Sequence, residues 1–309
     1  MNIRPLLLIS LIFATSASAE VWDKLAQAAK TAYTANFKGE YVRQTKNGIE
    51  TFDIYRQRDK QTLNERRIAT NGKPYEIIRN RNQVAFYATD AQGLKRAGTD
   101  ESNRFPAILP WHISQLGENY EATAQGNGRI AGRECHIVRL TPYDGNRYIQ
   151  ELCLDDVDNL PLSRTYIHNN TVVRADLFSA IDRENIASTA ELTPSSALPV
   201  KLVRKFDENA IQATFDDDLI TIVPQGYTIV GKKRTQNRFH YLFTDGLTYI
   251  ILFIDPVDEY SDTANMLPTD GILSSVSINI DQRRLTAIGD LPKDGLNQWL
   301  NNISLNYQE

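Results

Sequence analysis

The sequence predicts an α+β fold: a large antiparallel β-meander covered by one helix, followed by a smaller α+β domain. Three observations carry this reading. Apolar residues recur at helical spacing near the two ends, as Trp22, Leu25, Ala28/Ala29 and Ala32, and again as Leu296, Trp299/Leu300 and Ile303. Between them run short alternating segments separated by turn signals such as Asn47-Gly48, Asn71-Gly72 and Asp245-Gly246. At residues 186–205 the composition shifts to Ala, Ser and Thr with Pro194 and Pro199, which marks a linker.

Met1-Asn2-Ile3-Arg4 is a short positive region, Leu6 to Ala14 is apolar, and Ala17-Ser18-Ala19 is an Ala-x-Ala cleavage site. The apolar stretch is too short for a membrane-spanning helix and has the flanks of a secretory signal peptide, so residues 1–19 are expected to be removed after Ala19. No cysteine follows that site, so no lipid anchor is expected there. The chain of 309 residues has a net charge of −4, and losing Arg4 makes it more negative. That balance argues against a nucleic-acid footprint, which needs a clustered basic face. The remaining length suits two domains, expected at residues 20–185 and 206–309.

The first helix is expected over Val21–Ala35. A hairpin follows around Thr45–Gly48, then strand-like runs at Glu65–Ile68, Glu76–Arg79 and Gln83–Tyr87. Residues 88–104 read as polar turns. Arg104–Gly117 carries Phe105, Ile108, Leu109, Trp111, Ile113 and Leu116, interrupted by Pro106 and Pro110, which fits a loop or broken helix. Strands resume at Tyr120–Ala124 and Gly128–Ile130, then at 133–141 and 146–154, Pro161–Ile167 and Thr171–Ile181. In the second block, strands are expected at Tyr227–Gly231, Arg238–Thr244, Thr248–Ile254, Ile272–Ile280 and Arg284–Gly289. Pro292 then opens the last helix, where its missing N–H costs nothing.

The chain has two cysteines. A Tyr143-Asp144-Gly145 turn sets residues whose numbers sum to 288 opposite each other, and so faces Cys135 with Cys153 at a non-hydrogen-bonded pair. Such pairs lie about 4.5 Å apart at Cα, within bridging range. Pro142 cannot donate the backbone bond that the closing pair would want. The pair reads as a cross-strand disulfide and implies an oxidising compartment. Closing a loop of about 17 residues adds on the order of 3 kcal/mol.

No residue set points to catalysis, a cofactor or a metal. His112, His136, His168 and His240 are scattered, with no second His at i+2 or i+4. There is no Gly-x-Ser-x-Gly elbow, P-loop or dinucleotide fingerprint. Two features bear on binding. Lys232, Lys233, Arg234 and Arg238 form a basic turn, either a solvated hairpin tip or a contact for an acidic segment or a phosphorylated glycolipid. The stretch with Phe105, Ile108, Leu109 and Trp111 is either ordinary core or the wall or lid of an apolar cavity that accepts an acyl chain.

Gly132-Arg-Glu-Cys135-His-Ile-Val-Arg-Leu, Asp144-Gly145-x-Arg147-Tyr148 and Leu160-Pro161-Leu162 resemble the RseB/MucB family of periplasmic sigma-E regulators. So do Asn36-Phe37 through Gly48-Ile49-Glu50, Val223-Pro224-Gln225-Gly226-Tyr227, Thr244-Asp245-Gly246-Leu247 and Ile288-Gly289-Asp290-Leu291-Pro292. Each motif alone is weak; the ordered set is specific and spans nearly the whole chain. Cys153 is a departure, since the family does not require the second cysteine. The resemblance implies a periplasmic location and an N-terminal unclosed half-barrel, similar to lipoprotein carriers, that senses lipid. It implies a C-terminal domain that grips the periplasmic part of an anti-sigma factor of the RseA/MucA type and shields it from the site-1 protease. Lipopolysaccharide or lipoprotein acyl chains would displace it. The family offers no catalytic residues. The runner-up function is a periplasmic lipoprotein or lipid carrier, and self-association into a homo-oligomer is left open.

Overall fold

In the computed structural model, which describes residues 13–59, 62–80, 83–100, 104–205, 219–257, 271–280 and 282–305, side-chain alternation produces two main antiparallel sheets of unequal size and a two-stranded ladder. Helix α1 (Phe13–Thr34) leads into β1 (Phe37–Thr45), β2 (Gly48–Asp59), β3 (Thr62–Ala69), β4 (Tyr75–Asn80) and β5 (Gln83–Ala88). Helix α2 (Ala91–Asp100) and a 3-10 turn (Ile113–Glu118) precede β6 (Tyr120–Ile130), β7 (Arg133–Pro142), β8 (Ile149–Asp155), β9 (Pro161–His168) and β10 (Thr171–Asp182). With β11 (Val200–Lys205) these strands form one sheet in the order β11-β5-β4-β3-β2-β1-β10-β9-β8-β7-β6. The sheet curls into a half-barrel, and the chain is α+β as expected.

The concave face is the core. Leu25, Ala28, Ala29 and Ala32 of α1 are fully buried against it, together with Phe37, Tyr41, Phe52, Phe86, Leu152 and Phe178. Small residues on the inner stripe of α1 let the helix lie close to the sheet. Its C-terminal end is held by Arg56, whose Nη1 donates to the Ala32 carbonyl, and by Arg58, whose Nη1 donates to Tyr33 O at 3.0 Å. Basic side chains suit the partial negative charge of a helix C-terminus.

The second sheet is built from β13 (Thr228–Thr235), β14 (Arg238–Thr244), β15 (Tyr249–Pro256), β16 (Ser274–Ile280) and β17 (Arg283–Gly289), in the order β13-β14-β15-β17-β16. Helix α3 (Lys293–Asn301) covers one face with Leu296, Trp299 and Leu300. Pro292 is the residue before the helix, close to the expected start. A two-stranded ladder, β12 (Ile220–Ile222) with β18 (Ser304–Leu305), completes the unit.

Several expectations are corrected. Residues 91–100 form α2 rather than polar turns. Tyr120–Ile130 is one strand, with a bulge at Ala124/Gly126, rather than two. Residues 200–205 of the expected 186–205 linker are β11, hydrogen-bonded to β5. The part before them is also tied down: Glu191 pairs with Lys38 at 2.9 Å, and Ser195 N donates to Glu76 at 3.1 Å. The first twelve residues of the expected signal peptide lie outside the described residues, and residues 13–19 open α1. Among the described residues, no helix is long and apolar enough to cross a membrane.

The Cys135–Cys153 disulfide is present, with Cα atoms 5.5 Å apart, but the register differs from the expected one. Ile137, not Cys135, faces Cys153, and Cys135 faces Asp155. The pairing sum is therefore two higher. A two-residue shift keeps both cysteines on the same face, which is why the bridge survives the change. The hairpin loop is longer than a three-residue turn because its residues are taken up by contacts with the C-terminal unit, at Asp245, Ile272 and Gly295.

Candidate functional site

The half-barrel places charged groups where alternation would put apolar ones. Arg43, Arg56, Glu65, Arg67, Arg174 and Asp176 are all buried. Glu65 sits 3.5 Å from Arg56, 3.4 Å from Arg67 and 3.5 Å from Arg79. Burial alone would raise the Glu65 carboxyl; the surrounding guanidinium groups outweigh it and hold it below the usual carboxylate range. Asp176 behaves likewise: Arg174 and Arg43, each at 2.9 Å, overcome its burial and bring it to about 2. The same cations lie over aromatic rings, Arg43 above Phe52 at 5.1 Å and Arg67 above Tyr41 at 5.5 Å.

The expected lid residues separate into two groups. Phe105, Ile108 and Leu109 are buried in the main core, whereas Trp111 is 57% exposed and meets Tyr33 edge-on at 5.9 Å. Phe105 lies between Tyr41 (5.3 Å) and Phe178 (5.1 Å), and its carbonyl accepts from Arg67 Nη2 at 3.0 Å. The segment therefore plugs the concavity and is pinned by one buried cation. At its other end, Leu116 and Pro110 meet Gly246, where an added Cβ would lie 3.0 Å from Leu116.

That contact belongs to a junction between the two sheets that the sequence reading did not assemble. Arg147, from the β7–β8 loop, pairs with Asp144 beside it and, through Nε at 2.6 Å, with Asp245 of the β14–β15 turn. Its guanidinium lies 4.6 Å from the Tyr227 ring and 5.8 Å from the Tyr120 ring. Tyr120 Oη donates to Asp245 at 2.7 Å. Burial works against the Arg147 charge, but Tyr227, Tyr120, Asp245 and Asp144 hold it more firmly protonated than usual. Around this centre Asn119 Nδ2 donates to Gly226 O, and Tyr148 Oη donates to Ile272 O. Leu247 is buried in the half-barrel core.

Close backbone approach explains two glycines. Gly226 has φ +81°, and a Cβ there would fall 2.1 Å from Asn119 Oδ1. Gly295, inside α3, would carry its Cβ 1.9 Å from Asn146 O. Residues 144–148, 223–227 and 244–247 thus meet in space. Each was visible as a motif; their meeting was not, because they are far apart in sequence.

The basic residues fall on the β13–β14 hairpin, and β13 is an edge strand. Arg234 lies 5.0 Å above the Phe239 ring, while Arg238 is 3.8 Å from Asp255. Lys232 and Lys233 face Tyr241 and His240 across the ladder, so the two lysines point to opposite faces. The hairpin belongs to the second sheet and the Phe105–Leu116 segment to the half-barrel core, so they do not form one site. His136 pairs with Asp156 at 2.7 Å and His168 lies 3.8 Å from Asp294, each in a different region.

Comparison with known proteins agrees along the chain. Residues 18–196 match the MucB/RseB N-terminal domain and residues 219–304 the MucB/RseB C-terminal domain. The sigma-E factor regulatory protein RseB of Haemophilus influenzae is 24% identical over 297 residues, covering 92% of each chain. The sigma factor AlgU regulatory protein MucB of Pseudomonas aeruginosa is 23% identical, covering 93% of this chain and 92% of its own. Among solved structures, the Pseudomonas aeruginosa MucA/MucB complex superposes with a TM-score of 0.71 at 18% identity, covering 94% of this chain and 100% of that one. MucB alone gives 0.64, with 95% and 99% covered. With both of its halves matched in order by the two domains of one family, the chain belongs to the MucB/RseB family.

Proposed function

We propose that this chain is a periplasmic negative regulator of an envelope stress response. In this reading it binds the periplasmic domain of an anti-sigma factor, shields it from site-1 proteolysis, and lets go when a lipid or lipopolysaccharide binds. The observation that carries the reading is the two-sheet architecture clasped at Arg147 and Asp245. A carrier needs only a half-barrel. A ligand-displaceable regulator needs a second unit whose placement depends on the first. The MucA/MucB complex among its structural relatives supports the same assignment.

The roles divide between the half-barrel, which senses lipid, and the C-terminal unit, which holds the anti-sigma factor. An acyl chain entering the concavity has to displace Phe105, Ile108 and Leu109. Their departure releases Arg67 from the Phe105 carbonyl and removes Leu116 and Pro110 from beneath Gly246. Lipid entry and domain seating then compete for one segment, and the lipid acts only through its differential affinity for the two arrangements. The test is protection of the purified anti-sigma periplasmic domain from its protease by the full chain, with and without lipopolysaccharide. Protection that lipopolysaccharide removes supports the reading; cleavage unaffected by the chain refutes it.

A further inference from the structure

The outer face of the C-terminal sheet carries an apolar strip where a solvent-facing surface is expected. Leu247 to Ile254 is an almost unbroken apolar run. A half-exposed antiparallel strand alternates; a continuous run is the pattern of a strand covered on both faces. In β15 the inward residues Ile250, Leu252 and Ile254 are fully buried in the core beneath α3. The outward residues are Tyr249, Ile251 and Phe253, with Tyr249 48% and Ile251 40% exposed. Ile251 faces Leu242 on one side and Ile288 on the other, so the strip continues across three strands. Among the described residues, none covers it.

The strip has a charged end. On the same face lie Lys233, opposite His240, and Arg238 and Arg284, which flank Asp255. His240 stands 4.8 Å from the Phe253 ring, joining the basic end to the apolar part. Three cations and one carboxylate cluster here in a chain of net charge −4. A surface of this kind complements an amphipathic segment with apolar residues along one side and acidic residues at one end.

We infer that the outer face of the C-terminal sheet, centred on Ile251 and bounded by Lys233, Arg238 and Arg284, is the docking surface for an acidic amphipathic segment of the anti-sigma factor's periplasmic domain. The inference rests on the regulator reading and deepens it by naming the surface. Apolar burial at the strip supplies affinity; the basic end sets the direction in which the segment lies.

The experiment measures binding of the purified anti-sigma periplasmic domain to the full chain by calorimetry, at low and high salt. The variants are Ile251→Glu, Tyr249→Ser and Lys233→Glu, with Val157→Glu, on an 82% exposed residue of the half-barrel, as control. Ile251→Glu and Tyr249→Ser are expected to weaken binding at least tenfold, and Lys233→Glu to weaken it several-fold while flattening the salt dependence. Val157→Glu is expected to bind as the wild type. Circular dichroism and thermal melts check that each variant folds, and Tyr249→Ser reports on the strip if Ile251→Glu does not fold. If the wild type binds and both strip variants bind equally well, the surface assignment is overturned while the regulator reading stands. If the wild type does not bind, both fall. If the strip variants convert a dimer to a monomer in sedimentation and leave anti-sigma binding intact, the face belongs to a second copy and the assignment is likewise overturned.

Discussion

Replacing Asp245 with Asn removes one charge from the junction and almost no volume. Asp245 Oδ2 receives Tyr120 Oη at 2.7 Å and lies 2.6 Å from Arg147 Nε. Its Oδ1 accepts the backbone N–H groups of Leu247 and Thr248 at 2.9 and 2.7 Å. An asparagine keeps the Oδ1 contacts and so preserves the turn, but it presents an amide N–H₂ toward a guanidinium that is itself only a donor. Removing one partner of a buried pair costs about 3–5 kcal/mol because the other charge is left uncompensated. Arg147 retains Asp144 and the faces of Tyr227 and Tyr120, so the low end applies, about 3 kcal/mol. That corresponds to roughly a hundredfold shift in the equilibrium between seated and unseated sheets. Differential scanning calorimetry is the assay: the C-terminal unit is expected to melt separately and roughly 12 °C or more earlier in the variant. A single transition at the wild-type temperature would refute the claim that this ion pair seats the two sheets on each other. A double-mutant cycle with Arg147→Met isolates the coupling, since the two residues are in direct contact.

Three further outcomes follow from the same geometry. Asp176 has its folded pKa depressed from 3.8 to about 2, so its stabilisation is present above pH 3.8 and is lost as pH falls toward 2; acid titration of urea stability is expected to lose about 2 kcal/mol across that window in the wild type but not in Asp176→Asn. Gly226→Ala forces a Cβ onto Asn119 at φ +81° and is expected to disrupt the junction, whereas Gly145→Ala, with open space around it at φ +68°, is expected to cost only about 1 kcal/mol of backbone strain, both read by thermal melts. Replacing Cys135 and Cys153 together by Ser is expected to lower stability by about 2–3 kcal/mol in urea while leaving anti-sigma binding unchanged, because both cysteines are buried in the half-barrel core.

The meander was legible because its strands alternate and its turns carry Asn-Gly or Asp-Gly. The helices at Leu25–Ala32 and Leu296–Leu300 were legible because their apolar stripes have helical spacing. Helix α2 was hidden by its polarity and by Gly93 and Gly98, which lower helix propensity. β11 was hidden because the residues before it look like a linker, and the pairing partner that makes it a strand, β5, is more than 100 residues earlier. The buried row of Arg43, Arg56, Arg67 and Arg174 inverts the rule that charged positions face water. The inversion works because each cation meets a carboxylate, a carbonyl or a ring inside the half-barrel. The hairpin register failed by two residues for a related reason. Local turn preference favoured a short loop, but Asn146, Arg147 and Tyr148 meet Gly295 of α3, Asp245 and Ile272 of the C-terminal unit. Local rules gave the elements; the junction depends on contacts between segments that no local pattern connects.

The central claim is that one segment, Phe105–Leu116, answers both to lipid in the half-barrel and to the seating of the C-terminal sheet. Its most direct test is fluorescence anisotropy of a labelled anti-sigma periplasmic domain bound to the full chain, titrated with lipopolysaccharide, for the wild type and for Arg67→Met. The wild-type complex is expected to dissociate as lipopolysaccharide is added. Arg67→Met, which frees the Phe105 carbonyl, is expected to dissociate at lower concentrations. A complex that lipopolysaccharide leaves intact, or an Arg67→Met curve that coincides with the wild type, would contradict the account.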